Sequence, residues 1–115
     1  MEALNKLLFE AILLVLPSVV GGRSNAIFHN SGSYRPHAIV AKDSTSTMLG
    51  ITFVAGPEQL RPGELVIVQF QALYHPEVDY QHLQEGVQFT VVEGRRIVAI
   101  GKIAQRWTTL EEARP

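Results

Sequence analysis

The sequence of 115 residues contains no cysteine. This absence excludes a disulfide framework, a thiolate zinc site and a cysteine nucleophile, and it suits a cytoplasmic protein. An excess of one charge is also absent, because 10 Lys and Arg residues against 11 Asp and Glu residues give a formal net charge of −1. Proteins dedicated to nucleic acid usually carry a strong basic excess, so this balance argues against RNA or DNA as a sole, tight ligand.

Long hydrophobic runs are lacking as well. The most apolar stretch, residues 7–20, is interrupted by Glu10 and broken by Pro17, and it is too short to span a bilayer as a helix. A secretory signal would also be followed by a small-residue cleavage pattern, which this stretch lacks. We therefore expect a soluble, cytoplasmic chain with no membrane partner, in which this stretch is a buried strand.

The residues that are present have the composition of a folded domain, with 46% hydrophobic and 18% charged residues, which argues against disorder. A chain of this length suits one domain, residues 1–115, with a real core. Turn residues divide it into short segments rich in β-branched and aromatic residues, which are typical of strands. The predicted strands are residues 9–16, 35–41, 49–55, 65–73, 87–92 and 97–103.

Several of these segments alternate apolar and polar residues, as half-buried antiparallel strands do; residues 87–92 are one example. No segment has a sustained helical period. Residues 1–8 are compatible with a short helical turn, and Thr108 with Glu111 has the spacing of a capping box, which predicts a helical turn at the end of the chain. Short strands at regular spacing predict an all-β sandwich or barrel.

Three blocks of residues carry a resemblance to a known family. The first comprises Phe9-Glu10-Ala11, Val15-Leu16, Gly21-Gly22-Arg23 and Phe28, and the second is Tyr34-Arg35-Pro36-His37. The third comprises Pro62-Gly63-Glu64, Leu73-Tyr74-His75-Pro76, Gly86-Val87-Gln88-Phe89-Thr90, Glu93-Gly94-Arg95-Arg96-Ile97-Val98 and Gly101. In order and near-spacing, these blocks resemble the C-terminal barrel (third domain) of translation elongation factor Tu, over about residues 8–104. The resemblance implies a six-stranded antiparallel β-barrel.

The resemblance also implies binding partners. In the family, this barrel contacts transfer RNA, the GTPase domain and the nucleotide-exchange factor. The chain has no Gly-x-x-x-x-Gly-Lys-Ser/Thr phosphate loop, so we expect no nucleotide, no cofactor and no nucleotide hydrolysis. By resemblance, the residues that face nucleic acid are Arg23, His37, Glu93, Gly94 and Arg95. The family commonly has Gln in place of His37 and Gly in place of Arg95, so this surface departs from the family pattern.

The connection at residues 77–84 is longer than its usual counterpart in the family. Its charged, polar and aromatic residues include Glu77, Asp79, Tyr80 and His82. Loops on a rigid barrel often carry binding function, and Tyr offers a large amphipathic contact surface. We therefore predict that these four residues form a partner-binding loop, whose carboxylates favour a basic protein surface over RNA. The alternative is a solvated connection with Val78 and Leu83 tucked against the barrel.

Two chemical alternatives use residues of the same types. A metal site needs three or four convergent ligands, and the candidates at short spacing are His75, Glu77, Asp79 and His82. A hydrolase needs a nucleophile with a base and an orienting acid, and the set available on paper is Ser24, His37 and Asp79. No Gly-x-Ser-x-Gly elbow is present, and His75-Pro76 already matches the family's turn. We expect neither a metal site nor an enzyme.

The leading hypothesis is therefore a stand-alone, non-catalytic module that binds a protein partner. An RNA-binding accessory that contacts a transfer-RNA stem is the second hypothesis, and a small hydrolase is the third. Protein binding predicts an exposed apolar patch on one side of the barrel. RNA binding predicts a contiguous basic face at Arg23, His37 and Arg95 with steep salt dependence. An enzyme predicts a concave pocket that holds perturbed titratable groups.

Overall fold

A computed structural model describes residues 3–17, 27–28, 35–40, 47–57 and 59–112. These residues form strands and no helix: β1 (Ala3–Val15), β2 (Ile27–Phe28), β3 (His37–Val40), β4 (Leu49–Ala55), β5 (Gln59–Leu60), β6 (Leu65–Ala72), β7 (Gln88–Glu93) and β8 (Arg96–Glu112). Six strands form a closed antiparallel barrel in the order β1-β6-β4-β3-β7-β8, while β2 pairs with β5 in a separate sheet. Within the described residues, there is no helix that could cross a membrane.

The predicted fold class is confirmed, and each of the six predicted strands overlaps a strand of the barrel. The two predicted helical turns are wrong where the structure describes them. Residues 3–8 belong to β1, and the segment with Thr108 and Glu111 is the last part of β8. These two segments pair with each other, so a strand ladder rather than a helical turn satisfies their backbone groups.

Pairing between the first and last strands closes the barrel. β1 pairs with β8 along its whole length, from Ala3 opposite Glu112 to Val15 opposite Ala99. On its other side, β1 pairs with β6 only from Leu8 onward. Closure gives each strand of the barrel a neighbour on both sides, although β3 and β4 pair only at His37–Gly50 and Ala38–Leu49 among the described residues.

Inward-facing side chains fill the barrel, and four of its strands each contribute a phenylalanine ring to the centre. Phe70 of β6 stacks on Phe9 of β1 with ring centroids 4.9 Å apart. The rings of Phe53 and Phe89 lie 6.2 and 5.6 Å from the Phe70 ring. Offset and edge-on ring contacts of this kind add to the free energy of apolar burial. The contacts of Phe70 with Phe9 and Phe53 join neighbouring strands, and its contact with Phe89 of β7 crosses the interior of the barrel.

Two of the predicted turns are present and depend on glycine. In the Pro62-Gly63 turn, the Glu64 amide donates to the Arg61 carbonyl at 3.2 Å, and Gly63 has a φ of 84°. Gly94 has a φ of 62° in the short connection between β7 and β8. Positive φ is costly for residues with a Cβ, which explains glycine at both turns.

Gly101 allows β8 to approach the Phe89 ring closely. A Cβ added at Gly101 would lie 2.8 Å from that ring and 3.0 Å from the Ile12 carbonyl oxygen. We expect Gly101→Ala to lower the free energy of unfolding by about 1–3 kcal/mol, because overpacking strains a filled core. Urea denaturation of the single variants and of Gly101→Ala/Phe89→Leu tests this. If Phe89→Leu relieves the contact, the double variant loses less unfolding free energy than the two single variants lose together. Additive losses of unfolding free energy would contradict the steric explanation.

Candidate binding surfaces on the barrel

The outer surface of the barrel carries apolar side chains on three neighbouring strands. Residues directly opposite one another in antiparallel strands point to the same side of the sheet. Leu65, Leu14 and Ile100 are therefore aligned in one row across β6, β1 and β8. Ile67 and Ile12 are aligned in the neighbouring row. These five residues are called the apolar face.

The apolar face is accessible to solvent. Leu65 is 71% exposed, Ile67 is 63% exposed and Ile12 is 44% exposed, which are high values for strand residues in a barrel of this size. A shallow groove of about 270 Å³ lies along the rows and is also lined by Gln88 and Lys102. Single exposed apolar residues are common on proteins, whereas adjacent rows of them mark interaction surfaces.

A polar row borders the apolar face. Glu10 of β1 lies opposite Gln69 of β6 and Gln105 of β8. The Gln69 side-chain amide donates to the Glu10 carboxylate at 3.3 Å. Lys102 of β8 lies opposite Ile12, so its exposed positive charge stands at the end of the row formed by Ile67 and Ile12. An apolar centre with a polar surround is the usual arrangement of a protein interface.

A second candidate surface lies at the hairpin between β7 and β8. His37 of β3 pairs with the residue of β7 that precedes Glu93, and Gly94 and Arg95 follow in the turn. The register thus brings together four of the five residues predicted to face nucleic acid, while Arg23 lies outside the described residues. The four residues are called the hairpin cluster: His37, Glu93, Gly94 and Arg95.

The hairpin cluster is flanked by further arginines. Arg35 is exposed and lies two residues before His37, and Arg96 is exposed and pairs with Glu93 in the ladder. Guanidinium groups suit phosphate because their donors match its oxygens. The Glu93 carboxylate offsets part of this charge, so the surface is suited to a small number of phosphate contacts.

The connection from β6 to β7, residues 73–87, packs against the core and is called the capping connection. Tyr80 and Leu83 within it are 2% and 0% exposed. The Tyr80 hydroxyl donates to the Gly50 carbonyl at 2.6 Å and accepts from the Tyr74 amide at 3.2 Å. Burial raises the pKa of Tyr80, which further favours the protonated hydroxyl that donates this bond. The expectation that Tyr80 offers an exposed contact surface is therefore corrected.

Arg106 of β8 links the capping connection to the barrel by hydrogen bonds. Its Nη1 donates to the carbonyl oxygens of Tyr80 and Leu83 at 2.7 and 2.9 Å. Its guanidinium carbon lies 5.5 Å from the centre of the Phe9 ring. The planar guanidinium thus holds two carbonyls and contacts an aromatic ring at once, a combination that lysine cannot reproduce.

The other residues of the predicted partner-binding loop lie at the surface. Glu77, Asp79 and His82 are exposed. The Asp79 carboxylate accepts a hydrogen bond of 2.9 Å from the Gln81 amide, which fixes a local turn. Among the residues that the structure describes, no three His, Asp or Glu side chains are grouped to hold a metal ion. Partner binding by this loop stays a prediction.

A scan of the sequence against models of known protein families finds no match. The resemblance to the C-terminal barrel of translation elongation factor Tu therefore depends on the three blocks of residues given above. A small antiparallel barrel hosts many functions, so the fold alone does not select among them.

The apolar face and Arg106 are the features that the sequence interpretation missed. A strand that is buried on one face only usually alternates apolar and polar residues. Residues 65–68 are instead apolar at every position, which is a partial sequence signal for the apolar face. Such a run places apolar side chains on the outer surface as well as in the core. Arg106 has no comparable signal, since its partners are backbone carbonyls distant in sequence.

The Tyr80 hydroxyl provides a direct test of the capping connection. We expect Tyr80→Phe to lower the free energy of unfolding by about 1–3 kcal/mol, because the Gly50 carbonyl keeps only the Leu73 amide as a donor and the Tyr74 amide loses its acceptor. Tyr74→Phe is the matched control, since Tyr74 is 50% exposed and its hydroxyl can bond to water. Chemical denaturation measures both changes. Equal losses in the two variants, or no loss in Tyr80→Phe, would show that this bond does not hold the connection.

Proposed function

We propose that this chain is a non-catalytic protein-binding barrel, similar to the C-terminal barrel of translation elongation factor Tu, which binds its partner through the apolar face. The observation that carries the proposal is the pair of apolar rows on the outside of β6, β1 and β8. Leu65, Ile67 and Ile12 are exposed on the folded barrel, and another molecule can bury them. The absence of cysteine suits a reducing compartment, so we place this activity in the cytoplasm.

The energetics favour a reversible complex. Full burial of an exposed Leu or Ile side chain contributes about 1.5–3 kcal/mol. Leu65, Ile67 and Ile12 are only partly exposed, so their full burial together supplies about 3–5 kcal/mol. This is near the lower end of the cost of association, which is roughly 4–15 kcal/mol, so further contacts at the polar border are needed to orient and hold the partner.

Substitution of Ile67 tests this proposal. Ile67→Ser removes one of the most exposed side chains of the apolar face, while Met48→Ser removes an exposed apolar side chain outside it. We expect Ile67→Ser to bind the partner at least about tenfold more weakly, as loss of an apolar interface anchor costs more than 1 kcal/mol. The tagged parent chain and the two tagged variants are each used to capture proteins from an extract of the native cell. The dominant partner is then purified and titrated against the parent chain and both variants.

Thermal unfolding of the parent chain and the two variants checks that both variants fold. Unchanged affinity of folded Ile67→Ser, or an equal loss in Met48→Ser, would contradict binding through the apolar face.

Contact with transfer RNA at the hairpin cluster is a second candidate function. The register places His37 beside the turn that holds Gly94 and Arg95, with Arg35 and Arg96 near by. Each neutralised phosphate releases counterions, so a surface with few arginines gives weak affinity and a shallow salt dependence. This candidate ranks below protein binding because the overall charge of the chain is −1.

We expect transfer RNA to bind the chain weakly at low salt and to be released at physiological salt. Arg95→Gln is expected to reduce the slope of log affinity against log salt by about 1, because one phosphate contact is lost. Lys102→Gln is the control for loss of an exposed positive charge outside the hairpin cluster. Fluorescence anisotropy with labelled transfer RNA measures all three chains. Tight binding that survives physiological salt would rank RNA above protein as the ligand. If Arg95→Gln and Lys102→Gln changed the salt dependence of affinity equally, the hairpin cluster would not be the RNA-binding site.

A further inference from the structure

One row of the apolar face changes from apolar to polar as it crosses the barrel. Its residues, in order from β6 through β1 and β8 to β7, are Ile67, Ile12, Lys102 and Gln88. Since opposite residues of antiparallel strands share a side of the sheet, two aliphatic side chains are followed by two polar ones. Lys102 and Gln88 are exposed, and both line the shallow groove of about 270 Å³. The groove therefore has a polar corner beside its aliphatic walls.

The polar corner consists of two neighbouring hydrogen-bond donors. Lys102 and Gln88 lie directly opposite each other in the ladder, and Cβ atoms of such a pair are about 4.5–5.5 Å apart. An ammonium group has only donors, and a side-chain amide has two. A carboxylate accepts through both of its oxygens, so one carboxylate can bind both side chains together. The corner thus fits an acidic group.

The charges around the groove make this preference local. Lys102 is the one charged residue in the groove lining among the residues that the structure describes. The Glu10 carboxylate lies in the neighbouring polar row, where it accepts the Gln69 amide at 3.3 Å. Glu64, the residue before Leu65, is exposed and does not line the groove. A negative group of the occupant is therefore favoured at Lys102 and disfavoured at the β6 end of the face.

The groove also indicates the backbone form of its occupant. At Ile12, Leu14 and Ile100, β1 and β8 pair on both sides, so the backbone beneath the groove has no open edge for an added strand. Polyproline segments bind grooves lined by aromatic rings, and phosphopeptides bind clusters of arginine, whereas the described lining has neither. An aliphatic groove is the kind of site that accepts the apolar face of an amphipathic helix.

The spacing of the strands fixes the spacing of the helix residues. Neighbouring strands lie about 4.8 Å apart, so Lys102 of β8 lies about 10 Å across the sheet from Ile67 of β6. An α-helix rises about 1.5 Å per residue, so residues i and i+7 are also about 10 Å apart along its axis. Positions i, i+3, i+4 and i+7 share one helix face. With i+7 towards the carboxyl end, the negative end of the helix dipole also lies on the side of Lys102.

We propose that the apolar face binds an amphipathic helix of the partner protein, with apolar residues at i, i+3 and i+4 over Ile67 and Ile12 and with Asp or Glu at i+7 bound to Lys102 and Gln88. This inference rests on the proposed function, because it names the partner segment that the same face accepts. Burial of the aliphatic rows supplies affinity, and the polar corner supplies selectivity, since a basic residue at i+7 meets the Lys102 charge.

Titration of the ¹⁵N-labelled 115-residue chain with a synthetic helix tests the proposal. The probe is a lactam-stapled peptide of about 15 residues, because short unstapled helices are marginal in water. It has Leu at i, i+3 and i+4, Glu at i+7, and Ala and Gln elsewhere. We expect amide shifts at residues 12–14, 65–67 and 100–102. The peptide with Gln at i+7 is expected to bind about threefold more weakly, as for loss of one exposed ion pair. Glu at i−4 instead of i+7 is expected to bind no better than the Gln peptide.

Two variants separate the polar corner from general charge attraction. Lys102→Gln is expected to bind the Glu and Gln peptides equally. Arg61→Gln removes an exposed positive charge that does not line the groove, and it is expected to keep the preference for the Glu peptide.

Three outcomes would overturn the proposal: no shifts at the apolar face, equal binding of the Glu and Gln peptides by the parent chain, or a preference for Glu that persists in Lys102→Gln. The proposed function fails on a different result, which is unchanged affinity of folded Ile67→Ser for the captured partner. The two failures are therefore distinguishable.

Discussion

The pairing of β1 with β8 is the interaction on which the rest of the structure depends. It joins the first and last strands, closes the sheet and thereby commits each strand to one inward and one outward face. The interior accepts only the inward set, and the four phenylalanines fill much of it. Apolar side chains on the outward set of β1, β6 and β8 are consequently left at the surface. The same pairing continues past the barrel, where β1 and β8 pair only with each other among the described strands.

The capping connection has a structural role in the closed barrel. Tyr80 and Leu83 complete the core, and Arg106 of β8 holds the backbone beside them. A connection fastened in this way has little freedom to rearrange around a partner, because opening it exposes a buried ring and breaks hydrogen bonds to a charged group. Binding is therefore better supplied by rigid strand surfaces, where the side chains are already in place and little ordering is needed.

The strands of the barrel were predictable because their signals are local. Alternation of apolar residues and turn residues such as Pro62, Gly63 and Gly94 depend only on near neighbours in sequence. The chain termini were mispredicted, since the Thr108 and Glu111 spacing is a local signal that the long-range ladder with β1 overrides. The burial of Tyr80 was likewise unpredictable, because its acceptor, the Gly50 carbonyl, lies thirty residues away. The alternation that continues at Gln69 and Gln71 places Leu65 and Ile67 outward as well, but their alignment with Leu14 and Ile12 depends on the long-range register.

We propose that the apolar face of the barrel is the surface that meets another protein. Isoleucine methyl resonances test it directly, because Ile12, Ile67 and Ile100 belong to the face while Ile97 is similarly exposed outside it. The measurement compares methyl spectra of the ¹³C-labelled chain in buffer and in an extract of its native cell. Our account predicts that the three face signals shift or broaden while the Ile97 signal stays sharp. Unchanged face signals, with perturbation at Ile97 alone, would contradict it.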